Sequence, residues 1–248
     1  MSFIYRFVRA IIRLTLRFYY ADIEMHGLEN IPPSGPLLMM ANHHNGMVDP
    51  LFIIGVAPRP VRYIAKAPLF KIPILGFFIR GIGCIPAHRA QDAGNVKQSN
   101  DELYRAVKNA LVSGGAIGIF PEGKSHPDTS LAEFKHGAAK MALEAESLTG
   151  FTLGLKVQLV AIHFEKTRLF RGKVLITFGP PMALDMYREA YKTDPRAAVD
   201  SMTQALHEKM SRMILDADSE EVAKLAAIVE KMDLIEHREE GLRGKFRR

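Results

Sequence analysis

The sequence predicts an α/β fold. It reads as a single domain in which a mostly parallel or mixed sheet is flanked by helices, preceded by an amphipathic helix of the membrane-interface kind. Short apolar runs such as Leu37–Ala41 and Ala116–Ile119, fenced by glycine, proline or polar residues, have the length of buried strands. Between such runs, apolar residues recur at steps of three and four, as in Leu103, Val107, Ala110 and Leu111, which is helical spacing. A chain of 248 residues with 48% hydrophobic side chains can bury a core without disulfides or metals. The lone cysteine, Cys84, forms no internal disulfide, which points to a reducing compartment.

Residues 1–20 form the first segment. Arg6, Arg9, Arg13 and Arg17 fall on one helical stripe, and Phe3, Ile4, Phe7, Val8, Ile11, Ile12, Leu14, Leu16 and Phe18 fill much of the remaining circumference. That pattern fits a helix lying in a membrane interface better than one simply docked on a core. It lacks the uninterrupted apolar centre and small-residue finish of a secretory signal. The formal charge of +6 favours an anionic partner. Because the basic residues track strand ends and this helix, the expected partner is an anionic membrane surface, with no nucleic acid. No apolar run reaches the roughly 18–20 residues that a spanning helix needs. The expected location is therefore the cytoplasmic face of a membrane, peripheral or monotopic.

The α/β domain is expected over 21–195. A strand at 21–28 and a Pro-Pro-Ser-Gly-Pro breaker at 32–36 lead to the strand Leu37–Ala41. Behind it come Asn42, His43, His44, Asn45 and, after Val48, Asp49 and Pro50, with a helix expected over 50–56. A histidine followed five or six residues later by an acid at the start of a helix can donate one ring nitrogen to it. The other nitrogen is then left as a base. A strand at 61–65 precedes an apolar run, 66–80, punctuated by two lysines and Arg80, which suits either core or a lipid-facing surface. The strand at 83–89 ends on Arg89, whose guanidinium fork matches a phosphate. The stretch 92–100 reads as polar loop and 101–113 as helix. Next, Ile119-Phe120-Pro121-Glu122-Gly123-Lys124 is a strand delivering a turn whose amides and lysine suit an anion. A helix at 134–148, strands at 157–164 and 171–178, and C-terminal helices over 196–248 ending in a basic tail complete the pattern. The last helix is expected at 219–237 and the tail at 242–248.

Four blocks in order, at residues 42–50, 83–89, 120–125 and 157–164, resemble the glycerolipid acyltransferase family, and together they span about half the chain. The resemblance implies acyl transfer from an acyl thioester, delivered by coenzyme A or acyl carrier protein, to a hydroxyl of glycerol 3-phosphate or a lysophospholipid such as lysophosphatidate. It implies neither a cofactor nor a metal. Its catalytic base is His43 or His44, oriented by Asp49. The usual spacing of four intervening residues selects His44, whereas the Asn42-His43 pair with Asn45 two places on selects His43 across a five-residue gap, and His43 is favoured. Arg89, Lys124 and the backbone around Glu122 and Gly123 would grip the acceptor's phosphate. The chain departs from the family pattern at Lys124, where arginine is usual, and at Leu159, where proline is common. Two readings from other classes compete with the transferase. One is a metal-dependent hydrolase using His43, His44, Asp49 and His88; the other is a non-catalytic membrane-binding protein on the same scaffold.

Overall fold

The computed structural model describes residues 2–87, 96–125, 131–165 and 169–214, with 96–100 by backbone only. The sheet has eight strands: β1 (Asp22–His26), β2 (Leu37–Ala41), β3 (Val61–Lys66), β4 (Ile85–Ala87), β5 (Ala116–Ile119), β6 (Lys156–Phe164), β7 (Lys173–Phe178) and β8 (Met182–Ala183). Their order is β1-β7-β6-β2-β5-β3-β4, with β8 on β6. Strands β6, β2, β5, β3 and β4 run parallel, while β7 turns back against β6 and carries β1 with it. The sheet is thus mixed, with a parallel centre.

Helices cover both faces: α1 (Phe3–Tyr19), α2 (Asp49–Val56), α3 (Pro73–Gly81), α4 (Val96–Val112), α5 (Gly137–Ser147), α6 (Arg188–Thr193) and α7 (Pro195–Met213). Strand β2 is apolar at every position because it is covered on both sides. Leu38 and Met40 face the layer of α4, α5 and α7, and Leu37, Met39 and Ala41 face that of α1 and α2. The chain leaves β2 toward α2 on one face and leaves β5 toward α5 on the other. Adjacent parallel strands whose connections diverge in this way open a crevice at their carboxyl ends.

One sequence expectation changes, and one open choice closes. The polar stretch 92–100 is not all loop: α4 already begins at Val96. Its first turn, Lys97 to Asn100, carries no apolar period, yet lysine and glutamine are good helix formers. Of the two readings of the apolar run 66–80, the surface one holds, since only Ala67 and Gly76 in it are buried. The run is a 3-10 turn, Ala67–Lys71, followed by α3 with Pro73 in its first turn, where the missing N–H costs nothing. The helix and tail expected at 219–237 and 242–248 lie outside the described residues.

Helix α1 both docks and presents a second apolar row. Tyr5, Ile12 and Leu16 are buried, whereas Phe3, Phe7, Ile11, Leu14 and Phe18 stand in solvent. The Tyr5 hydroxyl accepts from the Val61 N–H at 3.0 Å. Gly55 of α2 lets α1 come close, since a Cβ there would sit 3.3 Å from Ile12 and 3.4 Å from Leu16. Docking on the core and lying at an interface are therefore compatible.

Candidate active site

Asn42, the first residue beyond β2, is fully buried and extends the sheet with its side chain. Its amide donates to the Ile162 carbonyl at 2.8 Å and accepts from the Ile162 N–H at 2.7 Å. The clamp fixes where the chain leaves the sheet, so the next residue, His43, projects from a set position. Between His43 and α2 the backbone makes one turn, with Val48 and Asp49 N–H groups donating to the Asn45 carbonyl. That turn brings the Asp49 carboxylate back under the imidazole.

His43 Nδ1 lies 2.9 Å from Asp49 Oδ2, which also accepts from the Asn45 N–H at 2.8 Å. The pairing fixes the tautomer and leaves Nε2 as the basic nitrogen. The ring lies flat on Phe120, with centroids 3.8 Å apart and planes 10° from parallel, and Phe120 stacks in turn on Tyr63. Asp49 has no exposed surface. Burial pushes its carboxyl above the ordinary range, opposed first by the His43 hydrogen bond and then by the Asn45 N–H and the charges of His43 and His44. Its place at the α2 N-terminus sets a negative side chain against the positive end of the helix dipole.

The structure therefore brings the longer-gap histidine, His43, to Asp49. His44 acts on Asp49 through its charge. After burial, His44 is the second cause lowering the pKa of His163 on β6, so the two imidazoles are neighbours.

The turn after β5 reaches the same place. The Glu122 side chain turns inward, which leaves only its backbone for the role expected of this turn. It is 2% exposed and accepts from the His43 N–H at 2.7 Å and the Ala132 N–H at 3.2 Å. Two partly buried amides find their acceptor there, and one carboxylate satisfies both. Gly123 has φ +75°, and a Cβ on it would come within 2.9 Å of the Lys135 side chain, so the turn requires glycine. Lys124 is exposed beside it. Lys135, missed from sequence because it sits 11 positions beyond Lys124 in the segment just before α5, adds a second ammonium over the same turn. Ser125 packs on Gly46, joining the two loops again. Arg89 lies outside the described residues.

A family model described as Acyltransferase matches residues 22–164, a span that holds β1 through β6 and every one of these groups. The chain belongs to the acyltransferase family. Among its relatives is the 1-acyl-sn-glycerol-3-phosphate acyltransferase of Borreliella burgdorferi, 33% identical over 144 residues, covering 58% of this chain and 54% of that protein. Glycerol-3-phosphate O-acyltransferase 2 of Saccharomyces cerevisiae is 34% identical over 111 residues, 44% of this chain and 15% of that one. The chain thus spans about half or less of the length of these relatives. The crystal structure of the 1-acyl-sn-glycerophosphate (LPA) acyltransferase PlsC from Thermotoga maritima shares the fold, with a TM-score of 0.61 at 22% identity. The likeness covers 86% of this chain and 82% of that one.

Proposed function

We propose that this acyltransferase moves a fatty acyl group from an acyl thioester, carried by coenzyme A or acyl carrier protein, to a hydroxyl of a glycerol-phosphate acceptor at a membrane surface. The observation that carries the reading is the 2.9 Å bond between His43 Nδ1 and buried Asp49. In this mechanism His43 Nε2 takes the proton from the acceptor hydroxyl as its oxygen attacks the thioester carbonyl. Asp49 supports the imidazolium, which returns the proton to the departing thiolate. The reading needs no acyl-enzyme: burial raises the Cys84 thiol's pKa, which makes it a poor nucleophile. Lys124, Lys135 and the backbone of Gly123 form a cationic turn beside the dyad, fit for the acceptor's phosphate. Holding a non-reacting phosphate there positions the hydroxyl for transfer.

Relatives named for glycerol 3-phosphate and for 1-acylglycerol 3-phosphate support this acceptor class and leave both acceptors as arms of the test. Among the described residues no helix is long and apolar enough to cross a membrane. The exposed row of α1 favours peripheral attachment, because greasy donors and acceptors concentrate in the bilayer. The test is transfer of a radiolabelled acyl chain by purified protein to glycerol 3-phosphate and to lysophosphatidate. Replacing His43 with alanine should lower turnover about 10²- to 10⁴-fold, the range for loss of a general base. Unchanged turnover would remove His43 as the base, and no transfer by wild type to either acceptor would end the reading.

A further inference from the structure

An open cleft of about 840 Å³ runs along α1, and none of the residues lining it belongs to the dyad or to the turn at 121–124. Four guanidiniums line it, Arg6, Arg9, Arg13 and Arg17, against one carboxylate, Asp22. The row follows from helix geometry, since steps of three and four return to one stripe. Arg9 donates to the Gly55 carbonyl at 3.1 Å and the Val56 carbonyl at 3.3 Å, and Arg13 to the Gly55 carbonyl at 2.6 Å. Those carbonyls are the negative end of α2, so the two arginines tie α1 to α2. Burial, and next the charge of Arg13, lower the pKa of Arg9, a sign of crowded cations. Arg6 and Arg17 are exposed and make no ion pair with a carboxylate among the described residues.

At about 100° per residue, the arginine row lies between the buried row of Tyr5, Ile12 and Leu16 and the exposed row of Phe3, Phe7, Ile11, Leu14 and Phe18. Leu14 belongs to the exposed row and also lines the cleft, so cations and apolar surface are continuous. The exposed surface extends past the helix at both ends. Phe7 stacks on Phe78 of α3, whose neighbour Phe77 is exposed, and Phe18 meets Phe170.

We propose that the arginine cleft binds the phosphate headgroup of an anionic phospholipid while the exposed row of α1 lies among acyl chains. The proposal rests on the membrane-surface reading above and makes it specific. A lipid is the occupant that joins an anion to an apolar chain at one point, as the cleft joins cations to an apolar strip. A free phosphate would leave that strip in water, and an acidic protein would meet phenylalanines where it needs polar contacts. The site also has a use in acyl transfer. The cleft meets α2 at Gly55 and Asp49 begins the same helix, so about 10 Å of rigid helix separates a bound headgroup from the dyad. The lipid would set the height of the dyad above the bilayer.

The test is co-sedimentation of the full chain with vesicles of phosphatidylcholine alone and with added phosphatidylglycerol or phosphatidate. The variants are Arg6→Gln/Arg17→Gln, which leaves the Arg9 and Arg13 ties intact, and Arg196→Gln/Arg212→Gln, which removes the same charge from exposed positions on α7. At about 1 kcal/mol for each basic residue near an anionic surface, the first variant should bind anionic vesicles about 30-fold more weakly. It should bind neutral vesicles as wild type does, and α7 replacement should change little. Equal losses in both variants would reduce the effect to net charge and overturn the cleft. So would wild-type binding by the first variant. Acyl transfer to acceptor in detergent micelles, measured alongside, reports on the transferase reading separately.

Discussion

His43 is held at three points by two other parts of the chain. Its Nδ1 meets Asp49 of α2, its face meets Phe120 after β5, and its backbone N–H meets Glu122. Only the first of these was legible in sequence, and only as a choice between two histidines. The stacking and the Glu122 bond join residues about 80 positions apart, and no local pattern announces such pairs. Asp49 offers a further prediction with a definite sign. A carboxyl whose pKa is raised on folding contributes stability that is fully present below its unfolded value, near about 4, and is lost as pH rises through the folded value. Asp49→Asn removes that loss while also removing the charge that supports the imidazolium. The variant should transfer acyl groups at least about 10²-fold more slowly. Its urea midpoint relative to wild type should improve from acid to neutral pH. A relative midpoint that falls over the same interval would contradict the buried-carboxylate account.

At the scale of elements, β2 and α2 were read from sequence within one residue, because a fully covered strand and a proline-started helix each carry their cause locally. The start of α4 was missed for the converse reason, since its first turn bears no apolar stripe. Gly118 inside β5 is another feature that only packing explains. A Cβ there would lie 2.3 Å from the Tyr63 ring, so glycine lets that ring cross β5 and support the Phe120–His43 stack. Gly118→Ala should destabilise the protein by about 1–3 kcal/mol, the usual range for overpacking. It should also slow transfer through displacement of the stack. The urea midpoint and turnover of one preparation check both, and full stability would show that Tyr63 can move without cost.

For the whole molecule, α1 belongs to the domain rather than preceding it. Deleting residues 1–20 would strip Tyr5, Ile12, Leu16 and Tyr20 from the core, so loss of membrane binding by such a truncation would report unfolding as readily as attachment. Substitutions on the exposed row separate the two. Phe7→Ser/Leu14→Ser should weaken binding to phosphatidylcholine vesicles by about tenfold or more, because each large apolar side chain contributes about 1.5–3 kcal/mol when fully buried. Thermal stability without lipid should remain within a few degrees of wild type. Unchanged vesicle binding would move attachment to another surface.

Sequence by itself determined the fold class, the strands that end at the site, and the family, because apolar periodicity and short motifs are local properties that survive without coordinates. Tertiary structure decided that His43 is the histidine paired with Asp49, that Glu122 braces the backbone, that Lys135 joins the cationic turn and that four arginines line one cleft. The reason is geometric: the Glu122 brace, the Lys135 contact and the cleft depend on how distant segments meet, and the choice of His43 on how the turn before α2 closes, and no segment encodes that alone.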